Sequence, residues 1–301
     1  MATQSSTIGA LYSDIVADLI PYYMDAVLLP NQNIITNSLQ ISGEAGDTVK
    51  FPLTNAYVNA GTVGEGNSLS SGAPAGATSD FTPTSVSIQV AKRGVGTDVT
   101  EEALEDGGLA VVRNAVLTRL AGGLAQATDI AGLVAAKTGA TLADTGEGSS
   151  AATHTTNFVM SPEALAFASK REPSVRMWYD VDLDKHLFRG SVRNGFVTLR
   201  GNFINPVTAN STIGSGSANI TAIAKAVAQL RGQNAPVGSD GMYVSIIDPA
   251  LEFKINEQVS LAGGSAIGSL SDIGNRALMQ GLVGQAAGVM FFRSNNLPNA
   301  S

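Results

Sequence analysis

The sequence predicts an α+β fold, and three observations carry that reading. Two strand-like runs, 46–58 and 84–92, flank a Gly- and Ser-rich stretch and read as one long β-hairpin. A helical stripe over 98–137 is longer than most globular helices. The rest of the chain alternates short strands with short helices across small-residue linkers. With 301 residues there is room for one large domain or two modest ones.

Taken in order, Ile8, Leu11, Ile15, Leu19 and Ile20 recur at helical spacing, and Pro21 ends or kinks that helix. This leading segment is either a first core helix or an arm laid on a neighbour. Val49, Phe51 and Leu53 alternate with Lys50 and Pro52, and Val86, Ile88 and Val90 alternate with Ser85, Ser87 and Gln89. Both runs have the period of two expected of strands. The stretch Asn59 to Pro83 between them is too long for an ordinary loop. A lone hairpin is marginal in water, so this one needs another surface to lie on.

Asp98-Val-Thr-Glu101 has capping-box spacing, and Glu101, Glu102 and Glu105 suit the positive end of a helix dipole. Gly107-Gly108 then bends or breaks the helix. Beyond it, Leu109, Val112, Val116, Leu120 and Leu124 begin one apolar face that continues to Val134. At 1.5 Å per residue, Leu109 to Lys137 spans about 43 Å, a spine for a sheet to pack on. Residues 139–156 and 208–219 read as linkers. Phe158 to Met160 reads as a short strand, and Ser161-Pro162-Glu163 as the start of a helix running to Ala168. Val192 to Ile204 contains a strand that Pro206 ends. Ile220 to Gln229 is helical with Gly232 as its stop. Tyr243 to Ile247 is a buried strand, Asp248-Pro249 opens a helix over Ala250 to Asn256, and Leu282 to Phe292 is a Gly-containing strand.

Charge sets the functional class. Charged residues make up 14% of the chain, against roughly 25% in an average soluble protein. The deficit is filled by 33 Gly and by Ser, Thr and Asn rather than by extra core. A monomer keeps itself soluble with charge, so a surface this poor in charge implies cover by other copies. The charge-poor stretches are 59–79, 138–157, 205–224 and 258–271, which read as arms and loops. Net charge is −7, and the 18 basic residues are scattered, the densest group being Lys170, Arg171 and Arg176. That argues against a phosphate-neutralising groove. No cysteine is present, which excludes disulfides, thiolate nucleophiles and Cys-ligated zinc. No apolar run approaches the roughly 20 residues of a membrane span, and the first residues lack signal-peptide character.

No catalytic constellation emerges. Asp180, Asp182 and Asp184 resemble the opening of a calcium loop but lack its glycine and its closing glutamate, where Ser191 stands. They read as a solvated loop, and no metal or other cofactor is expected. His186 beside them offers a general base without a nucleophile elbow, leaving a hydrolase or lyase as the rival reading from another class. Gly61-Thr-Val-Gly64-Glu-Gly66 lacks the Gly-Lys-Ser/Thr ending of a phosphate loop. It reads as a flexible turn, as does Gly94-Val-Gly96.

The ordered blocks resemble the major capsid proteins of tailed bacteriophages, the Hong Kong 97 fold. Residues 46–95 look like the family's extended E-loop, and Val99 to Thr138, with Thr100-Glu-Glu-Ala-Leu104, like its spine helix. Ile220 to Asn256, with Val244-Ser-Ile-Ile-Asp-Pro-Ala-Leu251, looks like the axial domain. Two further blocks match: Phe158-Val-Met-Ser-Pro-Glu-Ala-Leu-Ala-Phe-Ala168, and Gly284 onward, ending Ser294-Asn-Asn-Leu-Pro298. The resemblance implies an N-terminal arm at 1–45, an E-loop hairpin at 46–97 and the spine helix of a peripheral domain at 98–138. A linker with peripheral and axial strands then fills 139–215, and the axial domain 216–301. It further implies a non-enzymatic shell protein, self-assembling through pentamers and hexamers around DNA without sequence-specific contact. Scaffolding, portal and decoration proteins are its implied partners, and the virion, assembled in host cytoplasm, its implied location. An encapsulin-like nanocompartment is the alternative within this fold. The E-loop tip, Gly61, Gly64, Glu65, Gly66 and Asn67, would lie over an adjacent subunit.

One departure carries a structural expectation. In the family the Ser-Asn-Asn-Leu-Pro block precedes the Ser-Pro-Glu-Ala block; here it follows. Both exchanges fall in the linkers 139–156 and 208–219, where rejoining the chain strains little. A permuted connectivity on an unchanged fold therefore requires Asn299 to Ser301 to lie near 150–157.

Overall fold

A computed structural model describes residues 34–41, 47–53, 84–103, 109–262 and 285–300. The expected N-terminal helix and the E-loop tip lie outside the described residues. Three sheets are present among those described. The smallest pairs β2 (Thr48–Leu53) with β3 (Thr84–Gln89), antiparallel, setting Val49 opposite Ile88 and Phe51 opposite Val86. The alternation seen in the sequence is thus one face of a real hairpin.

The second sheet has the order β1-β6-β7-β4. Its centre is a long hairpin, β6 (Leu165–Asp180) and β7 (Lys185–Thr198), with β4 (Ala91–Thr100) antiparallel to β7 and β1 (Asn37–Gln40) parallel to β6. The long helix α1 (Leu109–Gly139) lies against it. Leu117, Leu120 and Ala121 of α1 bury with Val175 and Phe188, and Val95, Val99, Val116 and Met177 pack around them. Further along, Leu133 and Ala136 enter a different and larger core. One helix therefore ties two cores together.

That larger core belongs to the third sheet, β10-β11-β9-β5-β8. Its strands are β5 (His154–Met160), β8 (Ile204–Asn210), β9 (Tyr243–Ile247), β10 (Gln285–Ala286) and β11 (Val289–Arg293). Every residue of β9 is buried, as expected of a strand covered on both faces. Helix α2 (Ile220–Gly232) lays Ile223, Ala226, Val227 and Leu230 on this sheet, and α3 (Pro249–Ala262) adds Leu251 and Ile255. The Asn219 side chain caps α2 by accepting from Thr221 N at 2.9 Å. Asp248 does the same for α3, accepting from Leu251 N at 2.8 Å, with Pro249 at the first helical position.

Asn299 and Ala300 lie beside the start of β5, within the stretch 150–157 expected of them. Thr155 bridges Asn299 antiparallel, Thr156 N donates to Pro298 O at 2.9 Å, and Ala300 N donates to His154 O at 2.8 Å.

Several sequence expectations change, each for a local reason. Ser161-Pro162-Glu163 opens a turn and not a helix: Ala164 N donates to Ser161 O at 3.0 Å, then Leu165 starts β6 opposite Thr198. Cap chemistry and turn chemistry use the same residues. The capping box at Asp98 is absent, because β4 runs on to Thr100 and the Thr100 hydroxyl accepts from Ala103 N at 3.4 Å instead. Gly94 and Gly96 sit within β4 rather than in a turn. The strand expected over 192–204 is two strands: β7 stops at Thr198 and β8 starts at Ile204 after a short 3-10 turn. Pro206 lies inside β8, which is tolerated because β8 is an edge strand. Gly232 is the last residue of α2, and Asn234, at φ 53°, takes the left-handed position beyond it. The strand expected over 282–292 is, among its described residues, the hairpin β10–β11, turning at Ala287-Gly288 with both φ positive.

Candidate assembly surface

Cross-strand pairing sorts the residues of β4, β7 and β6 onto two faces. Val95, Gly190 and Val175 form one inner row, and Thr97, Phe188 and Met177 the next. These face α1. The outer face carries different rows. Lys92, Arg193 and Arg171 lie abreast; then Gly94, Ser191 and Ser174; then Gly96, Arg189 and Arg176; then Asp98, Leu187 and Trp178; finally Thr100, Lys185 and Asp180. A shallow depression of about 830 Å³ lies over this face, lined by Lys92, Arg171, Arg176, Trp178 and Arg189 among others.

Gly96 makes that arrangement possible. A Cβ there would sit 2.5 Å from the Arg189 side chain, so the bare backbone leaves the guanidinium its path across the strand. Arg189 then reaches Asp98 at 2.7 Å and lies 5.9 Å from the centre of the Trp178 ring. Lys185 holds the same carboxylate at 3.1 Å. The hydrogen bonds from Arg189 and Lys185 draw the Asp98 carboxyl below its ordinary range, so it stays charged. The Asp98 read as a helix cap is instead the anion that steadies two cations of the sheet.

The hairpin ends in an acidic tip. Asp180, Asp182, Asp184, Glu101 and Glu102 gather there, with Val181 79% and Leu183 59% exposed. The Tyr179 hydroxyl donates to Asp184, and this bond raises the phenol to about 12. His186 Nε2 lies 2.7 Å from Glu101 Oε2, its ring 5.0 Å from that of Tyr179. His186 thus ties β7 to the residues following β4. No cluster of three or more His, Asp or Glu placed to hold a metal occurs among the described residues. No helix among them is long and apolar enough to cross a membrane.

The root of the β2–β3 hairpin is held firmly. Ile88 and Val90 bury with Ile41, Ala166 and Ala168, with Val49 and Phe51 packed against them. Asp47 binds Arg193 at 2.6 Å and Lys170 at 3.3 Å. The Lys170 hydrogen bond, then the charge of Arg193, hold its carboxyl below the usual range. Gly195 lets the hairpin lie this close, since a Cβ there would meet Gln89 O at 2.6 Å.

Of the residues singled out in the sequence, Gly61, Gly64, Glu65, Gly66 and Asn67 lie outside the described residues. Leu109 and Val112 lie in α1; Val116 is half-buried, and Leu120 and Leu124 are 1% and 2% exposed. The basic face is hard to see in the sequence, because its residues are scattered along the chain. Lys185, Arg189 and Arg193 recur every four residues, which in a strand is one face, and that was the available signal.

No family model matches the chain, and no curated protein does. Solved structures do. The bacteriophage JBD30 capsid matches with a TM-score of 0.53 at 10% identity, over 90% of this chain and 92% of that one. The JBD30 procapsid matches with a TM-score of 0.49 at 11% identity, over 84% and 94% of the two chains. The capsid of cyanophage P-SCSP1u matches with a TM-score of 0.43 at 9% identity, over 62% and 88%. The first of these shows the fold: the chain is α+β and folded as the JBD30 capsid chain is.

Proposed function

We propose that this chain is the major capsid protein of a tailed bacteriophage, a non-enzymatic subunit that self-assembles into an icosahedral head around DNA. The observation that carries this reading is the fold shared with the JBD30 capsid over 90% of the chain. Charge supports it: at 14% charged residues, the surface suits cover by sister subunits. The hairpin supports it as well. Its root is clamped to the body by Asp47 and by the cluster around Ile88.

On this reading the segments have distinct tasks. Residues 1–45 act as an arm and 46–97 as the E-loop. Residues 98–138 supply the spine of a peripheral domain, 139–215 the linker and strands that follow, and 216–301 an axial domain. The tip at Gly61 to Asn67 lies over an adjacent subunit. Pentamers and hexamers close the shell, with scaffolding, portal and decoration proteins as partners and the host cytoplasm as the place of assembly. DNA is enclosed without sequence-specific contact.

Negative-stain microscopy of the purified chain tests this. Closed particles tens of nanometres across, loaded with DNA in infected cells, are the expected result. A stable monomer or dimer overturns the shell reading, and particles holding a protein cargo overturn the phage-head reading.

A further inference from the structure

We propose that the outer face of the β6–β7–β4 sheet is a docking surface for the β6–β7 hairpin tip of a second copy of this chain. The inference rests on the shell reading and names a contact within it.

The face is electrostatically incomplete. Lys92, Arg193 and Arg171 lie abreast on adjacent strands, and Arg189 lies opposite Arg176. Like charges directly opposite each other destabilise a sheet. Asp98 offsets Arg189, and Asp47 offsets Arg193. Lys92, Arg171 and Arg176 are exposed and have no ion-pair partner among the described residues. Beside them Trp178 is 47% exposed. A partner that fits must bring carboxylates and a small apolar group together.

The chain carries such a segment at the end of the same hairpin. Asp180 and Asp182 flank Val181, which is 79% exposed, and Leu183 follows at 59%. Carboxylates over Arg171 and Arg176, with Val181 or Leu183 against the Trp178 ring, would satisfy both halves. The two surfaces differ, so the contact is head-to-tail, the kind that generates rings when the rotation closes. A copy cannot satisfy its own face. Four residues of strand rise already separate Arg176 from Asp180 by about 13 Å, and the tip turns beyond that.

Charge exchange tests the contact. Arg171→Glu with Arg176→Glu, or Asp180→Lys with Asp182→Lys, should lower the assembled fraction by about tenfold at physiological salt. The chain carrying all four changes should regain it. If all variants melt like the wild type and the fourfold variant assembles no better than the pairs, the proposal is overturned. If the Arg variants assemble normally but particles retain less DNA, the face meets nucleic acid and the proposal is overturned. A wild-type chain that forms no particles overturns the shell reading, and this contact with it. Should a charge variant fail to fold, cross-linking replaces it, helped by the absence of native cysteine. Mixed particles of Arg176→Cys and Asp182→Cys chains should form disulfide-linked pairs on oxidation. No such pairs overturns the contact.

Discussion

Gly195 shows how a single residue can permit a close approach of two sheets. An added methyl there would press on the Gln89 carbonyl and on Ile88 at 2.8 Å, both part of the hairpin root. Gly195→Ala should therefore cost about 1–3 kcal/mol in chemical denaturation, as overpacking does. Gly232→Ala, where a Cβ meets nothing within 4 Å, should cost nothing measurable and serves as the control. Glu147 has a comparable reach. Its carboxylate accepts from Ser217 N and Ala218 N and faces the His154 ring at 2.9 Å, joining three segments. Burial raises its pKa, but those two backbone bonds and His154 outweigh burial and hold it below its ordinary 4.5. A lowered folded-state pKa means this contribution is complete above the unfolded value and is lost as pH falls through the folded one. Thermal melts should accordingly drop on acidification below about pH 4.5, and Glu147→Gln should flatten that part of the profile.

At the scale of elements, α1 is the piece whose removal would be felt most widely. Its first half packs on the β4–β7–β6 sheet and its last turns enter the core of the other sheet. Leu120 is 1% exposed and central to the smaller core. Leu120→Ala should cost about 2–5 kcal/mol, read by denaturant titration. The β6–β7 hairpin is the element the sequence hid. Lys170-Arg-Glu-Pro173 breaks the period of two, and the pairing itself shifts register between Ser169 and Ser174. Without an uninterrupted alternation the run does not read as sixteen residues of strand. The charge-poor stretches 138–157 and 205–224 are not loops throughout. Parts of both form the β5–β8 seam, where Asn157, Asn205, Thr156 and Thr208 are buried. Low charge there serves a polar core: Asn157 accepts from Asp248 N at 2.7 Å, and Thr145 donates to Asn205 at 3.0 Å.

At the scale of the whole molecule, the expected role of the hairpin concerns assembly and not the single subunit. Limited proteolysis should cut Asn59 to Pro83 readily in free subunits and slowly in assembled particles. Equal cutting in both would argue against a segment that lies over a neighbour. The chain end joins the same scale. Its contacts with His154, Thr155 and Thr156 place the end of the sequence beside the start of β5.

Local chemistry was enough to find the β2–β3 pair, the long helix, the helix α2 and the buried strand Tyr243 to Ile247, whereas the Asn219 cap of α2 emerged only in the structure. Each of these elements is specified by residues within a few positions of one another, through alternation or helical spacing. The ordered set of these pieces was also enough to point to the capsid fold. Only the tertiary structure decided that Leu165 begins a strand, that Asp98 binds Arg189 and Lys185 rather than a helix end, and that Lys92, Arg171 and Arg176 share one face. Those outcomes depend on which strand lies opposite which. Ladder hydrogen bonds join residues distant in the chain, so a turn or cap signal alone cannot choose between the structures it permits.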